Sequence, residues 1–299
     1  MALFQKINHY LSLIKFSHTV FALPFALMGF VLGVIESAQG FSWSWWLDNS
    51  SLFLKMLLCM VFARSAAMAF NRYLDRRFDA LNPRTANREI PAGIISSKNA
   101  LLFTIINSVL FVATTYFINT TVFYLSGVAL FIILFYSYTK RFTSLCHLVL
   151  GVGLALSPIG AFLAVTGYFK LVPVLLSCIV FTWVSGFDII YALQDEEFDK
   201  AHQLHSIPAA LGKVNALRVS NLLHLVCFSL VMIVGIVGGY NWIFWIGAAI
   251  FSYLLLHQHL LVKPNDLSKV NMAFANTNGI ASILFASFSI ISFIIQFSL

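Results

Sequence analysis

Apolar residues run in long stretches through most of the chain, and polar residues collect between them. Nine stretches are long enough to read as spans: 18–37, 51–70, 99–118, 121–138, 145–166, 171–191, 217–239, 241–262 and 273–298. A spanning helix needs roughly 20 apolar residues, whereas a barrel strand needs about 9–11 with alternating polarity. Backbone groups in lipid must pair within their own segment, so stretches of this length are helices. The first residues follow another pattern. Phe4, Ile7, Leu11 and Ile14 recur at helical spacing with Lys6 and Lys15 beside them, which predicts an interfacial helix over residues 1–16. No small-residue cleavage site follows a compact apolar core, so this segment is not expected to be a removable signal peptide. Pro24 is expected to kink the first span, and Ser157–Pro158 to mark a bend in the fifth.

Composition supports a lipid environment. The chain of 299 residues is 60% hydrophobic and 10% charged, against about 25% charged in a soluble domain. A single all-α integral membrane domain over 1–299 is expected. Charge then sets the sides. Counting the gaps alternately from an inside N-terminus places 15 of the 18 Lys and Arg residues inside, as cytoplasmic loops require. The net charge of +7 therefore describes topology and forms no soluble basic domain for nucleic acid. Cys59, Cys146, Cys178 and Cys227 are scattered without CxxC spacing and are expected to be small core residues.

The acids carry more information. Of eleven, eight lie at or beyond the inside ends of the second and sixth spans: Asp75, Asp79, Glu89, Asp188, Asp195, Glu196, Glu197 and Asp199. Asn71, Asp75 and Asp79 are spaced four apart and share one face if the helix continues. Mg2+ takes oxygen ligands, commonly one or two carboxylates with phosphate oxygens and water. Arg84 and Arg88 follow in the same loop, with planar forks suited to phosphate. A metal–diphosphate complex fits this mixture; a solvated loop with Asp–Arg pairs is the plainer alternative, and it suits Arg76 and Arg77. Arg64 lies seven residues before Asn71 on the same face and deeper in the span. Charge at that depth usually faces a cavity, which marks Arg64 for an anionic substrate group or for a structural pair.

Asp195 and Asp199 repeat the spacing, with Tyr191 one turn earlier and Asp188 seven residues earlier on the same face. Glu196 and Glu197 fall on other faces and are expected to be solvated; Lys200 is left between site and water. Each acidic pair is followed by Ile-Pro-Ala, at Ile90-Pro91-Ala92 and Ile207-Pro208-Ala209, and then a glycine. Such internal repeats often place a site at their interface. A third inside loop adds Tyr136, Lys140 and Arg141, as phosphate partners or as a topology signal.

These residues resemble the UbiA superfamily of intramembrane aromatic prenyltransferases. The family's N-x-x-x-D-x-x-x-D motif is matched from Asn71 through Asp75 to Asp79, and its D-x-x-x-D motif from Asp195 to Asp199, preceded by Tyr191-Ala192. The NPRTANREIPAG stretch and the Tyr136-x-x-x-Lys140-Arg141 stretch are similar to the 4-hydroxybenzoate branch. Ser17, His18 and Pro24 look like the family's opening segment. The resemblance implies a bundle around a central cavity near the cytoplasmic side of the plasma (inner) membrane. One Mg2+ would sit at Asp75 and Asp79 and another at Asp195 and Asp199, with the diphosphate held by Arg84, Arg88, Lys140 and Arg141. It implies transfer of a polyprenyl group from polyprenyl diphosphate to an aromatic acid, 4-hydroxybenzoate in quinone synthesis. Asp188 is assigned to the acceptor, to orient it or take its proton, and Arg64 would suit its carboxylate. The 30 phenylalanines would help exclude water from the allylic cation.

A dihydroxynaphthoate acceptor, as in menaquinone synthesis, satisfies the same residues. A transporter is the reading from another class; acids gathered at one face, without a charged path across, stand against it. Asn271, Asn276 and Asn278 are expected to pair between helices, His257 and His259 to be interfacial, and His202 and His205 to lie in a loop.

Overall fold

The computed structural model describes residues 2–15 and 21–298, with side chains from Ile7 onward. Ser17 and His18 lie outside the described residues. In chain order the helices are α1 (Ala2–Leu13), α2 (Leu23–Ala38), α3 (Trp43–Asp48), α4 (Ser50–Leu81), α5 (Ser97–Tyr116) and α6 (Thr120–Thr139). They continue as α7 (Cys146–Thr166), α8 (Leu171–Ala192), α9 (Glu196–Ala201), α10 (Ile207–Val237), α11 (Trp242–Leu261) and α12 (Asn278–Phe297). A 3-10 turn, Leu193–Asp195, separates α8 from α9, and a π-helix, Met272–Thr277, leads into α12. No strand forms among the described residues. Eight helical segments are long and apolar enough to cross a bilayer, and α2 is a ninth, shorter apolar helix.

The helices close a ring. α2 packs on α7 and α12, α7 on α6 and α8, α8 on α10, α10 on α11, and α11 on α12, while α4 packs on α5 and α6. Close approach depends on small residues, because lipid offers no hydrophobic drive between helices. At Gly29 of α2, an added Cβ would lie 2.0 Å from the Pro158 carbonyl oxygen of α7. One turn on, a Cβ at Gly33 would meet the Val165 side chain at 2.9 Å. Phe25, Trp183, Phe251 and Phe285 pack as an aromatic core among α2, α8, α11 and α12.

α4 decides where the chemistry lies. Its 32 residues make a helix about 48 Å long, against roughly 30 Å of hydrocarbon. The excess turns carry Asn71, Asp75 and Asp79 on an unbroken helix, as their spacing predicts. The loop after Leu81 folds back over them: Thr85 Oγ1 donates to the Asp79 carbonyl at 3.0 Å. α1 pins this loop from outside, with Ser12 hydrogen-bonded to Glu89 and Leu13 buried against Ala69, Ile95 and Ala100.

Several expectations change. Pro24 stands in the first turn of α2, where its missing N–H would have no partner anyway, so it starts a helix and kinks none. Pro158 lies inside α7, and Ser157 Oγ donates to the Leu154 carbonyl that proline leaves without a donor, at 2.8 Å. The second motif does not continue one α-helix, because the 3-10 turn at Leu193–Asp195 resets its phase. Glu196 is buried, not solvated; Lys200 reaches it at 2.6 Å and Lys213 at 3.9 Å, which offsets the loss of water. Glu197 is exposed as expected. α10 starts ten residues before the predicted span, passing a break at Gly212, where φ is +74°. α3 is an extra short helix, begun where Ser42 Oγ accepts from Trp45 N at 3.3 Å.

Candidate active site

A cavity of about 650 Å³ lies among α4, α6, α7 and α8. Its mouth is polar, lined by Asp75, Asp79, Arg84, Lys140 and Asp195. Deeper, the wall is apolar, with Met60, Ala129, Ile133, Leu150 and Leu156 among its residues. Gly153 and Gly160 of α7 keep it wide, since a Cβ at Gly160 would meet nothing within 4 Å.

At the mouth each motif aspartate has one cation. Arg141 Nη2 donates to Asp75 Oδ1 at 2.9 Å and to the Leu74 carbonyl at 3.1 Å. Asn71 Nδ2 donates to the other Asp75 oxygen at 3.0 Å. Arg88 Nη1 donates to Asp79 Oδ1 at 2.6 Å. Arg84 grips Asp195 with two bonds, Nε to Oδ1 at 3.1 Å and Nη2 to Oδ2 at 2.5 Å, and gives Nη1 to Tyr191 Oη at 2.8 Å. Lys140 Nζ lies 2.8 Å from Asp199 Oδ1. The two motifs are thereby joined: the loop after the first supplies Arg84 and also Asn82, whose Nδ2 donates to Asp195 Oδ1 at 3.2 Å.

Burial alone would lower the Arg84 guanidinium, but Asp195 and then Tyr191 hold it above its ordinary value. Burial likewise opposes the Lys140 charge, and Asp199 more than offsets it. Both remain cations while the mouth is closed on itself.

The predicted residues are not equally placed. Asn71, Asp75, Asp79, Asp188, Tyr191 and Asp195 all line the cavity, as do Arg64, Arg84, Arg88 and Lys140. Asp199 is fully buried behind Lys140, and Arg141 reaches Asp75 from the rim. Arg64 sits about 10 Å down α4 from Asn71, donating Nη2 to the Lys15 carbonyl at 3.1 Å, and its buried Nε has no partner. Arg76 and Arg77 stay out of the cavity.

Sequence reasoning missed three residues here. Arg72 lines the cavity, 7% exposed, with a buried unpartnered Nε; the stripe Arg64, Met68, Arg72, Asp75, Asp79 at four- and three-residue steps carried that signal. His147 lines the cavity at the start of α7 and bonds Asp188, Nδ1 to Oδ2 at 2.7 Å. Phe274 comes from the π-helix, its ring 4.2 Å from that of Tyr191 and 5.5 Å from that of Phe187. π-Helices often mark functional sites. This one is secured by Asn278, whose Nδ2 donates to the Ala273 and Phe274 carbonyls at 3.1 Å each, while its Oδ1 accepts from Trp183 at 2.8 Å. Asn278 thus pairs helices as expected, whereas Asn271 and Asn276 are exposed. His259 pairs with His224 between α10 and α11 at 2.8 Å, within the bundle. His202 and His205 lie in the loop after α9.

The donor set suits a divalent metal completed by phosphate. Among the described residues no three acidic, His or Cys side chains converge as a closed metal site. An ion carried with a diphosphate needs only one or two carboxylates; the first motif presents two to the cavity, and the second presents Asp195, with Asp199 behind Lys140. Asp79 Oδ2 is also buried without a hydrogen-bond partner, a cost that a bound cation would relieve.

Comparison with known proteins agrees with this geometry. Residues 22–287 match the UbiA prenyltransferase family. A 4-hydroxybenzoate octaprenyltransferase of Enterobacter sp. (strain 638) is 30% identical over 222 residues, 74% of this chain and 76% of the relative. The apo structure of a UbiA homologue from Aeropyrum pernix K1 superposes with a TM-score of 0.79 at 31% identity, covering 92% of this chain and 97% of that one. A UbiA homologue from Archaeoglobus fulgidus bound to DMAPP and Mg2+ shares the fold, with a TM-score of 0.69 at 22% identity over 95% of this chain and 98% of that one. Motifs, helical ring and matched length lead to one conclusion: the chain belongs to the UbiA prenyltransferase family and is an integral membrane prenyltransferase.

Proposed function

We propose that this protein transfers a polyprenyl group from polyprenyl diphosphate to the ring of 4-hydroxybenzoate, with Mg2+, at the cytoplasmic face of the plasma membrane. The observation that carries this is the pairing of all four motif aspartates with cations at one end of a cavity whose deeper wall is largely apolar. The activity named for the Enterobacter relative supports the acceptor, and the gathering of Lys and Arg on the motif side supports the orientation.

Asp75 and Asp79 would hold one ion and Asp195 and Asp199 the other. Bound Mg2+ would stabilise the negative charge that develops on the diphosphate as its bond to the prenyl carbon breaks. With the aspartates holding metal, Arg84, Arg88, Lys140 and Arg141 would be free to bind phosphate oxygens, and Arg72 would add a cation already buried nearby. The electron pair of the broken C–O bond leaves with the diphosphate. The allylic cation left behind needs a dry, electron-rich wall, which Phe187, Phe274 and Tyr191 supply. Arg64 holds the acceptor carboxylate. The ring forms the new C–C bond, and Asp188 takes the proton lost from that ring carbon.

Membranes carrying the protein, given labelled polyprenyl diphosphates, Mg2+ and a panel of aromatic acids, test this assignment. Prenylated 4-hydroxybenzoate is expected. Product with dihydroxynaphthoate alone would replace the acceptor, and solute uptake into vesicles without product would overturn the assignment altogether.

A further inference from the structure

His147 is 4% exposed and lies at the start of α7, facing Asp188 of α8 and the N-terminus of α10. Its Nδ1 lies 2.7 Å from Asp188 Oδ2. Its Nε2 accepts the backbone N–H of Ile207 at 3.4 Å. The second contact fixes the proton on the ring. The first N–H groups of a helix have no partner within it. In α10, Ser206 Oγ takes the N–H of Ala209 at 3.2 Å, and His147 takes that of Ile207. A proton on Nε2 would set two donors against each other. With Nε2 held as that acceptor, the N–H at Nδ1 is the one that donates to Asp188.

We propose that His147 is a positioning residue for the acceptor-side base: it holds Asp188 by one carboxylate oxygen, so that the other faces the cavity as proton acceptor. This rests on the aromatic acceptor assignment. Asp188 keeps a side-chain exposure of 21%, toward the cavity it lines. A carboxylate free to rotate would offer its basic oxygen in the right place only part of the time, and small misplacement of a reacting group is expensive in rate. His147 cannot itself accept the proton, because Nε2 is occupied by Ile207. The arrangement also ties the base to the diphosphate end. The segment before Ile207 is held to Lys140 and Cys146, with the His205 N–H donating to the Lys140 carbonyl at 2.7 Å and the Cys146 thiol to the His205 carbonyl at 3.5 Å. The same loop thus orients the base and the cation paired with Asp199.

The test uses purified full-length protein in detergent with saturating Mg2+. His147→Ala is expected to lower kcat by about 10–100-fold, the size typical of losing a group that orients a reacting ligand, with the KM for prenyl diphosphate unchanged. His147→Asn places an amide N–H where Nδ1 was, and is expected to recover most of the loss. In the Asp188→Ala background, His147→Ala is expected to add nothing. Additive losses, failure of asparagine to rescue, or a loss confined to KM would overturn the proposal. Nitrogen NMR of imidazole-labelled protein gives a readout independent of turnover: an Nδ1–H neutral ring is expected, and an Nε2–H ring or an imidazolium would overturn it. Wild-type protein that turns over no aromatic acid would refute the acceptor assignment itself, and the NMR result would still judge the hydrogen bond.

Discussion

If the cations at the mouth exchange carboxylate for phosphate, removing one should move metal and diphosphate affinity in opposite directions. Arg84→Gln is the sharpest case, because Arg84 bonds both oxygens of Asp195. The pair is partly buried, with 32% of the Arg84 side chain and 12% of the Asp195 side chain exposed. An exposed pair contributes about 0–1 kcal/mol and breaking a buried one costs about 3–5 kcal/mol, so this one falls at about 2 kcal/mol. An ion binding Asp195 must first displace that guanidinium. In the glutamine variant it need not, and metal affinity without diphosphate should rise about 30-fold, at roughly 1.4 kcal/mol per tenfold. The KM for prenyl diphosphate should rise by a similar factor, because charge-assisted bonds to phosphate contribute about 1.5–3 kcal/mol each. Mn2+, which accepts the same oxygen ligands, can be titrated by electron paramagnetic resonance on detergent-solubilised protein, with steady-state kinetics alongside. Weaker metal binding in the variant, or an unchanged KM, would refute the exchange.

Asp75→Ala and Asp195→Ala should each abolish turnover while the protein still elutes as a folded species in detergent; activity retained in both would contradict the two-metal assignment. Arg64→Gln should raise the KM for the aromatic acid by roughly 10–100-fold, as expected for losing one charged hydrogen-bond partner, and leave that for prenyl diphosphate alone. Asn278→Leu should lower the apparent Tm, since it strips the acceptor from the fully buried Trp183 indole, a loss of about 1–3 kcal/mol. It should also disturb turnover by freeing Phe274.

The parts legible in the sequence share a physical reason. A bilayer forces every backbone polar group into a helix, so apolar length alone located the spans, and charge crowded at two span ends located the mouth. The first motif was readable to the residue because α4 runs through it without a break, keeping Arg64, Asn71, Asp75 and Asp79 in phase. The second was less so. A 3-10 turn of three residues between α8 and α9 shifts the phase, and Asp199 ends behind Lys140 instead of on the cavity wall. Phe274 was hidden for the same reason in the opposite sense, because a π-helix inserts residues that a 3.6-residue period does not count.

His147 was illegible for a different reason. Nothing near it in the chain distinguishes a histidine at the start of an apolar helix from an interface residue; its partners, Asp188 and Ile207, are 41 and 60 residues away. Glu196 is a partial case: Lys200 stands one turn away in α9, but Lys213 reaches it from α10. Two of the missed residues, His147 and Phe274, act through contacts between elements, whereas Arg72 lay in phase with the first motif on α4. That division bears on what selects the acceptor. On the proposed assignment, the diphosphate end would be written largely in the two aspartate motifs, and the acceptor end would be assembled from α4, α7, α8 and the π-helix by contacts that cross between them. Substitutions that leave both aspartate motifs intact, at Arg64, His147 or Phe274, are thus where a change of acceptor ring should be sought first.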